Sequence, residues 1–144
     1  MPANTARITV GRLLEIRADA GYRTTRDVDL VFDVLDREVA RLRPGVRHVT
    51  VVDWRHCPVM APAAAEHIAH RIAGANARTE RSAALAVQDA PVAVLQFLRV
   101  IREAGLPDRK LFFEESELIN WLKGVLLPAE LQRLREFLQE GRRP

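Results

Sequence analysis

His48-Val49-Thr50-Val51-Val52-Asp53-Trp54-Arg55-His56-Cys57-Pro58-Val59-Met60-Ala61-Pro62-Ala63-Ala64-Ala65 is the stretch from which the fold is read. The run from His48 to Trp54 is β-branched and carries apolar residues on both faces, as a central strand covered on at least one side does. Pro62 stands where a helix can begin, because a proline in the first turn loses no hydrogen bond. Residues 63–73 continue as a small-residue helix that stops at Gly74, with Ala64, Ala65, Ile68, Ala69 and Ile72 as its apolar stripe.

Upstream, Ile8-Thr9-Val10 and Leu13 to Ala18 predict an opening hairpin turning at Gly11-Arg12. Thr24 with Asp27 three places on is a capping-box pattern. Behind it Val28, Val31, Phe32, Leu35, Val39 and Leu42 recur at three and four, with Asp29, Asp33, Asp36 and Arg37 turned mostly to water. Downstream, Ser82 to Val87 reads as a strand. Asp89 and Pro91 then open a helix with Val94, Leu95, Leu98 and Ile101 on its apolar face, and Gly105-Leu106-Pro107 ends it. Lys110 to Phe113 is a last strand, and Ser116 caps a helix carrying Leu118, Trp121 and Leu122. Gly124 and Pro128 precede a final amphipathic helix with Leu127, Leu131, Leu134 and Leu138 in its stripe.

The expected fold is therefore α/β: a mixed, mostly parallel sheet of four to five strands in the order β-β-α-β-α-β-α-β-α, with one helix appended. The α/β domain spans 7–123 and the helical extension 124–140.

Composition fits one globular domain of 144 residues, 48% apolar and 28% charged. The net charge of +3 comes from 22 Lys+Arg against 19 Asp+Glu without a like-charge run, so no nucleic-acid partner is expected. A single cysteine, Cys57, excludes an internal disulfide. No stretch approaches the ~20 apolar residues of a membrane span, and the first residues lack a signal-peptide pattern; a cytoplasmic location is expected.

Val51 to Ala65, laid without a gap on the strand–loop–helix signature of one family, resembles the STAS domain of anti-sigma-factor antagonists and sulfate-transporter tails. Phe112-Phe113-Glu114-Glu115-Ser116-Glu117-Leu118-Ile119-Asn120-Trp121-Leu122 is similar to the close of its divergent stand-alone members. The resemblance covers about residues 7–123 and implies a protein-binding module switched by phosphorylation of a serine at a helix start, where added negative charge changes partner binding. Here Ala61-Pro62-Ala63-Ala64 stands in place of Asp-Ser-Ser-Gly, and no residue from Ala61 to Ala65 has a hydroxyl. What the resemblance implies for this chain is constitutive binding.

The carboxyl edge of an open α/β sheet is where ligands bind, which makes Asp53, Arg55, His56, Cys57, Met60 and Pro62 the candidate binding residues. Arg55 can grip an anion, His56 can exchange protons, and Cys57 can act as a nucleophile if its pKa is lowered; equally, Asp53 can tie loop amides, Trp54 can pack, and Cys57 can be a small buried hydrophobe. Glu66, His67 and His70 share a helix without completing a metal-ligand set, so neither metal nor cofactor is expected. No Gly-x-Ser-x-Gly motif and no Gly-rich phosphate loop occur. Leu127, Leu131, Leu134 and Leu138 are the candidate partner interface, unless the last helix packs back on its own core. Three functions follow in order: a non-enzymatic protein-binding or self-associating module, a small-molecule or lipid carrier with room under the alanine-rich helix, and a thiol enzyme using Cys57 with His56.

Overall fold

A computed structural model describes residues 2–143. The elements are β1 (Asn4–Ile8), β2 (Leu13–Ala18), α1 (Thr25–Ala40), β3 (His48–Asp53), α2 (Pro62–Gly74), β4 (Thr79–Leu85), α3 (Pro91–Ala104), β5 (Arg109–Phe112), α4 (Glu115–Leu122) and α5 (Pro128–Glu140). The five strands lie in sequence order in one sheet; β1 runs antiparallel to β2 and the other pairs are parallel. The fold is α/β with the expected element order.

Three parallel connections of one hand put α1, α2 and α3 on one face of the sheet. Their core joins Leu14, Ile16 and Val52 of the sheet to Phe32, Ile68 and Phe97 of the helices. The opposite face carries Leu13, Val49, Val51, Ala83 and Leu85, and it is covered by Leu118 and Leu122 of α4 with Leu134, Phe137 and Leu138 of α5. Both faces of β3 are therefore dry, which is why valines occupy both of them and why its polar residues His48, Thr50 and Asp53 are buried as well. The appended helix forms half of the second layer. The sheet itself begins at Asn4, before residue 7, so the body of the domain reaches further toward the amino terminus than the sequence suggests.

Several local expectations shift. The first strand is Asn4–Ile8; Thr9 and Val10 belong to the turn, where Gly11 adopts φ +58° and a Cβ would strike the Glu130 carboxylate. β4 begins at Thr79 because that residue pairs with His48, so Glu80 and Arg81 lie inside a strand that their polarity disguised, and Ala86-Val87 lie beyond it. β5 runs from Arg109 to Phe112 because those residues face Ser82 to Leu85. Asp89 and Ser116 do not cap: the cap positions before α3 and α4 are Ala90 and Glu114, and neither makes a side-chain cap bond. Thr24 and Asp27 do form the expected capping box. The acidic side of α1 is only partly solvated, because Arg71 of α2 gathers Asp29, Asp33 and Asp36, and His67 meets Asp29 at 2.7 Å.

The largest correction concerns α3. Its buried residues are Ala93, Phe97, Val100 and Ala104. Phe97 stacks on Trp54 with ring centroids 4.4 Å apart. This rotates the helix so that Leu95 and Leu98 face outward, while Val94 and Ile101 sit at the margin.

His48 is buried between the sheet and the helices, its ring nitrogens 2.7 Å from the Thr50 hydroxyl and 3.3 Å from the Thr79 hydroxyl. Burial first, then repulsion from Arg109, Arg78 and Arg12, brings its pKa from 6.5 to about 4. Below pH 6.5 the unfolded chain binds a proton there that the folded chain refuses, so this stability is complete above that pH and is lost as the pH falls toward 4. Urea unfolding should show stability declining by up to about 1.4 kcal/mol per pH unit below 6.5. His48→Gln should flatten that decline between pH 6.5 and 5; an unchanged slope would place its origin elsewhere.

Candidate functional site at the carboxyl edge

Period-two alternation puts Glu15 and Arg17 of β2 and Asp53 of β3 on the same sheet face as Leu13, Val49 and Val51, the face that α5 covers. Asp53 is the last residue of β3 and its side chain has no exposure to water. Its carboxylate accepts from Arg17 at 2.6 Å, from Arg55 Nε and Nη2 at 2.9 Å each, and from the Arg55 amide at 3.1 Å. The two guanidiniums then reach on to α5. Arg17 donates to the Phe137 carbonyl and lies 3.9 Å above the Phe137 ring. Arg55 donates to the Leu138 carbonyl at 2.8 Å and to Glu115 at 2.9 Å. His56 Nε2 lies 3.0 Å from the Gly141 carbonyl.

The last carbonyls of a helix have no partners within it and form its negative end, so cationic donors are well matched there. Burial lowers the pKa of Arg55, and the hydrogen bonds and charges of the acceptor carboxylates, Asp53 first and then Glu115, outweigh it and hold the guanidinium charged. Arg142, then Arg55, hold the Glu115 carboxyl below its ordinary range. Gly141 lies against this cluster: a Cβ there would fall on Arg17, Asp53 and Arg55, so the constraint is space, its φ of −83° being open to any residue.

Two further charges anchor α5. Arg133 grips Glu15 of β2 with two bonds of 2.8 and 3.0 Å, and Glu15 is 1% exposed. Glu130, also buried, accepts from the amides of Leu127 and Arg12 at 2.8 Å each, joining the start of α5 to the β1–β2 turn.

Of the candidate binding residues, Asp53, Arg55 and His56 converge on the end of α5. Cys57 and Met60 turn into the core on the opposite face of the sheet. Burial, then the charge of Asp19, pushes the Cys57 thiol up to about 12, so it carries almost no thiolate at neutral pH. Met60 exchanges two 2.8 Å backbone bonds with the Gln96 amide of α3. Pro62 is exposed at the start of α2. Glu66 and His70 face solvent, and no group of three His, Cys, Asp or Glu among the described residues is arranged to hold a metal ion. In the candidate partner interface, Leu134 and Leu138 have no exposure and Leu131 is half-buried, because α5 closes the core of its own domain; Leu127 alone is exposed.

The carboxyl edge is thus occupied by the chain's own helix end, and its donors are engaged there. On the other face, a partly open space lined by His48, Thr50, Thr79, Arg109 and apolar side chains is about 40 Å³. That is room for a few waters and far below an acyl chain. Ile68 and Ala69 fill the region beneath α2. No helix among the described residues is long and apolar enough to cross a membrane.

Glu15 and Arg17 were legible as charges at alternate positions of an otherwise apolar strand. Arg133 and Glu115 carry no such mark. Comparison with known proteins finds no matching family model, no similar curated protein and no matching solved structure.

Removing Asp53 leaves two largely buried guanidiniums facing each other. Asp53→Ala should cost about 3–5 kcal/mol in urea unfolding. Glu103→Ala, which breaks the exposed Arg99–Glu103 pair, should leave the midpoint unchanged. Equal effects would contradict the role given to Asp53.

Proposed function

We propose that the chain is a non-enzymatic assembly module of the STAS type that its sequence resembles, and that it dimerises through the outer face of α3. The observation that carries this reading is the exposure there of Val92 (59%), Leu95 (68%) and Leu98 (46%). At 100° per residue, Leu95 points directly away from the buried stripe centred on Ala93, Phe97, Val100 and Ala104. Large apolar side chains in a row on a helix face mark a contact surface more often than solvent.

The row is also self-complementary. If two copies of α3 cross antiparallel about a two-fold axis at Leu95, Val92 faces the copy's Leu98 and the apolar row is buried against itself. The lack of a hydroxyl from Ala61 to Ala65 supports association that no phosphate at that helix start controls. The engaged donors at the carboxyl edge and the buried Cys57 give little support to catalysis, and the small interior space gives little to a carrier.

Sedimentation velocity should show a concentration-dependent dimer. Leu95→Glu, which sets two carboxylates on the axis, should give a monomer with an unchanged circular dichroism spectrum. A protein monomeric at high micromolar concentration, or a dimer indifferent to Leu95→Glu, would overturn the reading.

A further inference from the structure

β1 is an edge of the sheet. In an antiparallel pair, residues alternate between exchanging both backbone bonds with the partner and pointing both groups away from it. Ile8 stands opposite Leu14, yet its amide donates to the Glu38 carboxylate of α1 at 2.8 Å. Ile8 is therefore an outward-pointing residue, and by the same period so are Ala6 and Asn4. Glu38 closes the Ile8 end of this edge. At the other end the Asn4 side chain is tied to the Gly21 carbonyl and the Ala20 amide. Between them the amide and carbonyl of Ala6 point toward a groove of about 750 Å³, walled by Leu30, Val31 and Val34 of α1 and by Arg7 and Arg23. Leu30 is 57% exposed there.

The walls select an occupant. Arg7 is exposed, with its guanidinium 3.7 Å from the buried Glu15 carboxylate that Arg133 already grips, and Arg23 makes no ion pair among the described residues. The carboxylate in the lining, Asp27, is engaged in the α1 cap, accepting from the amides of Arg23 and Thr24. A strand added beside β1 would turn alternate side chains toward α1, as Ala6 and Ile8 do, and the intervening ones to the side that carries Arg7.

We propose that this groove takes an extended segment of another protein, added as a sixth strand beside β1, with apolar residues on Leu30 and Val34 and acidic residues between them beside Arg7. Main-chain bonds to Ala6 supply register and the alternating pockets supply selectivity, as in other strand additions. A second copy of β1 fits poorly, because Asn4–Ile8 contains Arg7 and no acidic residue. This surface is separate from α3, and its occupancy is independent of dimerisation there.

The test uses the full chain and two fluorescein-labelled hexapeptides, one alternating valine with glutamate and one alternating valine with lysine, read by fluorescence anisotropy. The glutamate peptide should bind and the lysine peptide should bind at least tenfold more weakly. Ala6→Pro removes only an outward amide, a position where an edge strand tolerates proline, and should weaken the glutamate peptide about tenfold. Leu30→Glu, on an exposed helix position, should do the same and keeps the test decisive if Ala6→Pro fails to fold. Absence of binding at millimolar peptide, equal binding of both peptides, or binding indifferent to Leu30→Glu would each overturn the proposal. So would a wild-type dimer that Ala6→Pro abolishes and Leu95→Glu does not, because a second copy would then hold the edge.

Discussion

A carboxylate without contact with water has to be neutralised and hydrogen-bonded where it sits, or the strand that carries it does not stay buried. Asp53 meets that demand with two guanidiniums, and most of the second layer follows from how they are placed. Arg17 and Arg55 each have donors left over after serving Asp53, and those donors end on carbonyls of α5. One buried negative charge thereby fixes two cations, and the cations fix the end of a helix far away in sequence. The Arg133–Glu15 pair and the Glu130 bonds to the β1–β2 turn repeat the arrangement along the helix, so α5 is held at its start, middle and end.

Ionic contacts of this kind specify position more than they stabilise, because desolvation offsets much of their Coulomb energy. The stabilising part of the docking comes from Leu134, Phe137 and Leu138 against Leu13, Val49 and Val51. The two contributions are complementary: apolar burial favours covering this face of the sheet, and the charges decide which helix covers it and in which register. The same arrangement has a functional consequence. The carboxyl edge, where an open α/β sheet is free to receive a ligand, is filled by the domain's own backbone, so the contacts we propose lie elsewhere, on α3 and β1.

The order of strands and helices was readable because each central element repeats one period clearly. β3 is apolar on both faces, and α1 carries its stripe behind a capping box that forms as written. The errors lie where apolar residues exceed what one face can bury. α3 carries Val92, Val94, Leu95, Leu98 and Ile101 as well as Phe97 and Val100, and periodicity alone does not say which arc faces inward. The Trp54–Phe97 stack decides it, a contact between residues 43 apart in sequence. The site was half legible for a similar reason. Asp53 and Arg55 stand two apart in the chain, whereas Arg17 and Glu115 join them only through register and helix docking. Leu134 and Leu138 left two readings open, a partner interface or the domain's own core, because a terminal amphipathic helix looks the same whether it covers its own sheet or a partner.

The central claim is that α5 is an integral part of the domain, held by the apolar residues it buries and set in register by the charges it meets at the carboxyl edge. Native-state amide hydrogen exchange of the wild-type protein, followed residue by residue, tests it most directly. If the claim holds, the amides of Leu134, Phe137 and Leu138 exchange with the same free energy as those of Val51 and Val52 in β3, opening only with the whole domain. Exchange in α5 that is orders of magnitude faster, while β3 stays protected, would make the helix a separable appendage and contradict the account.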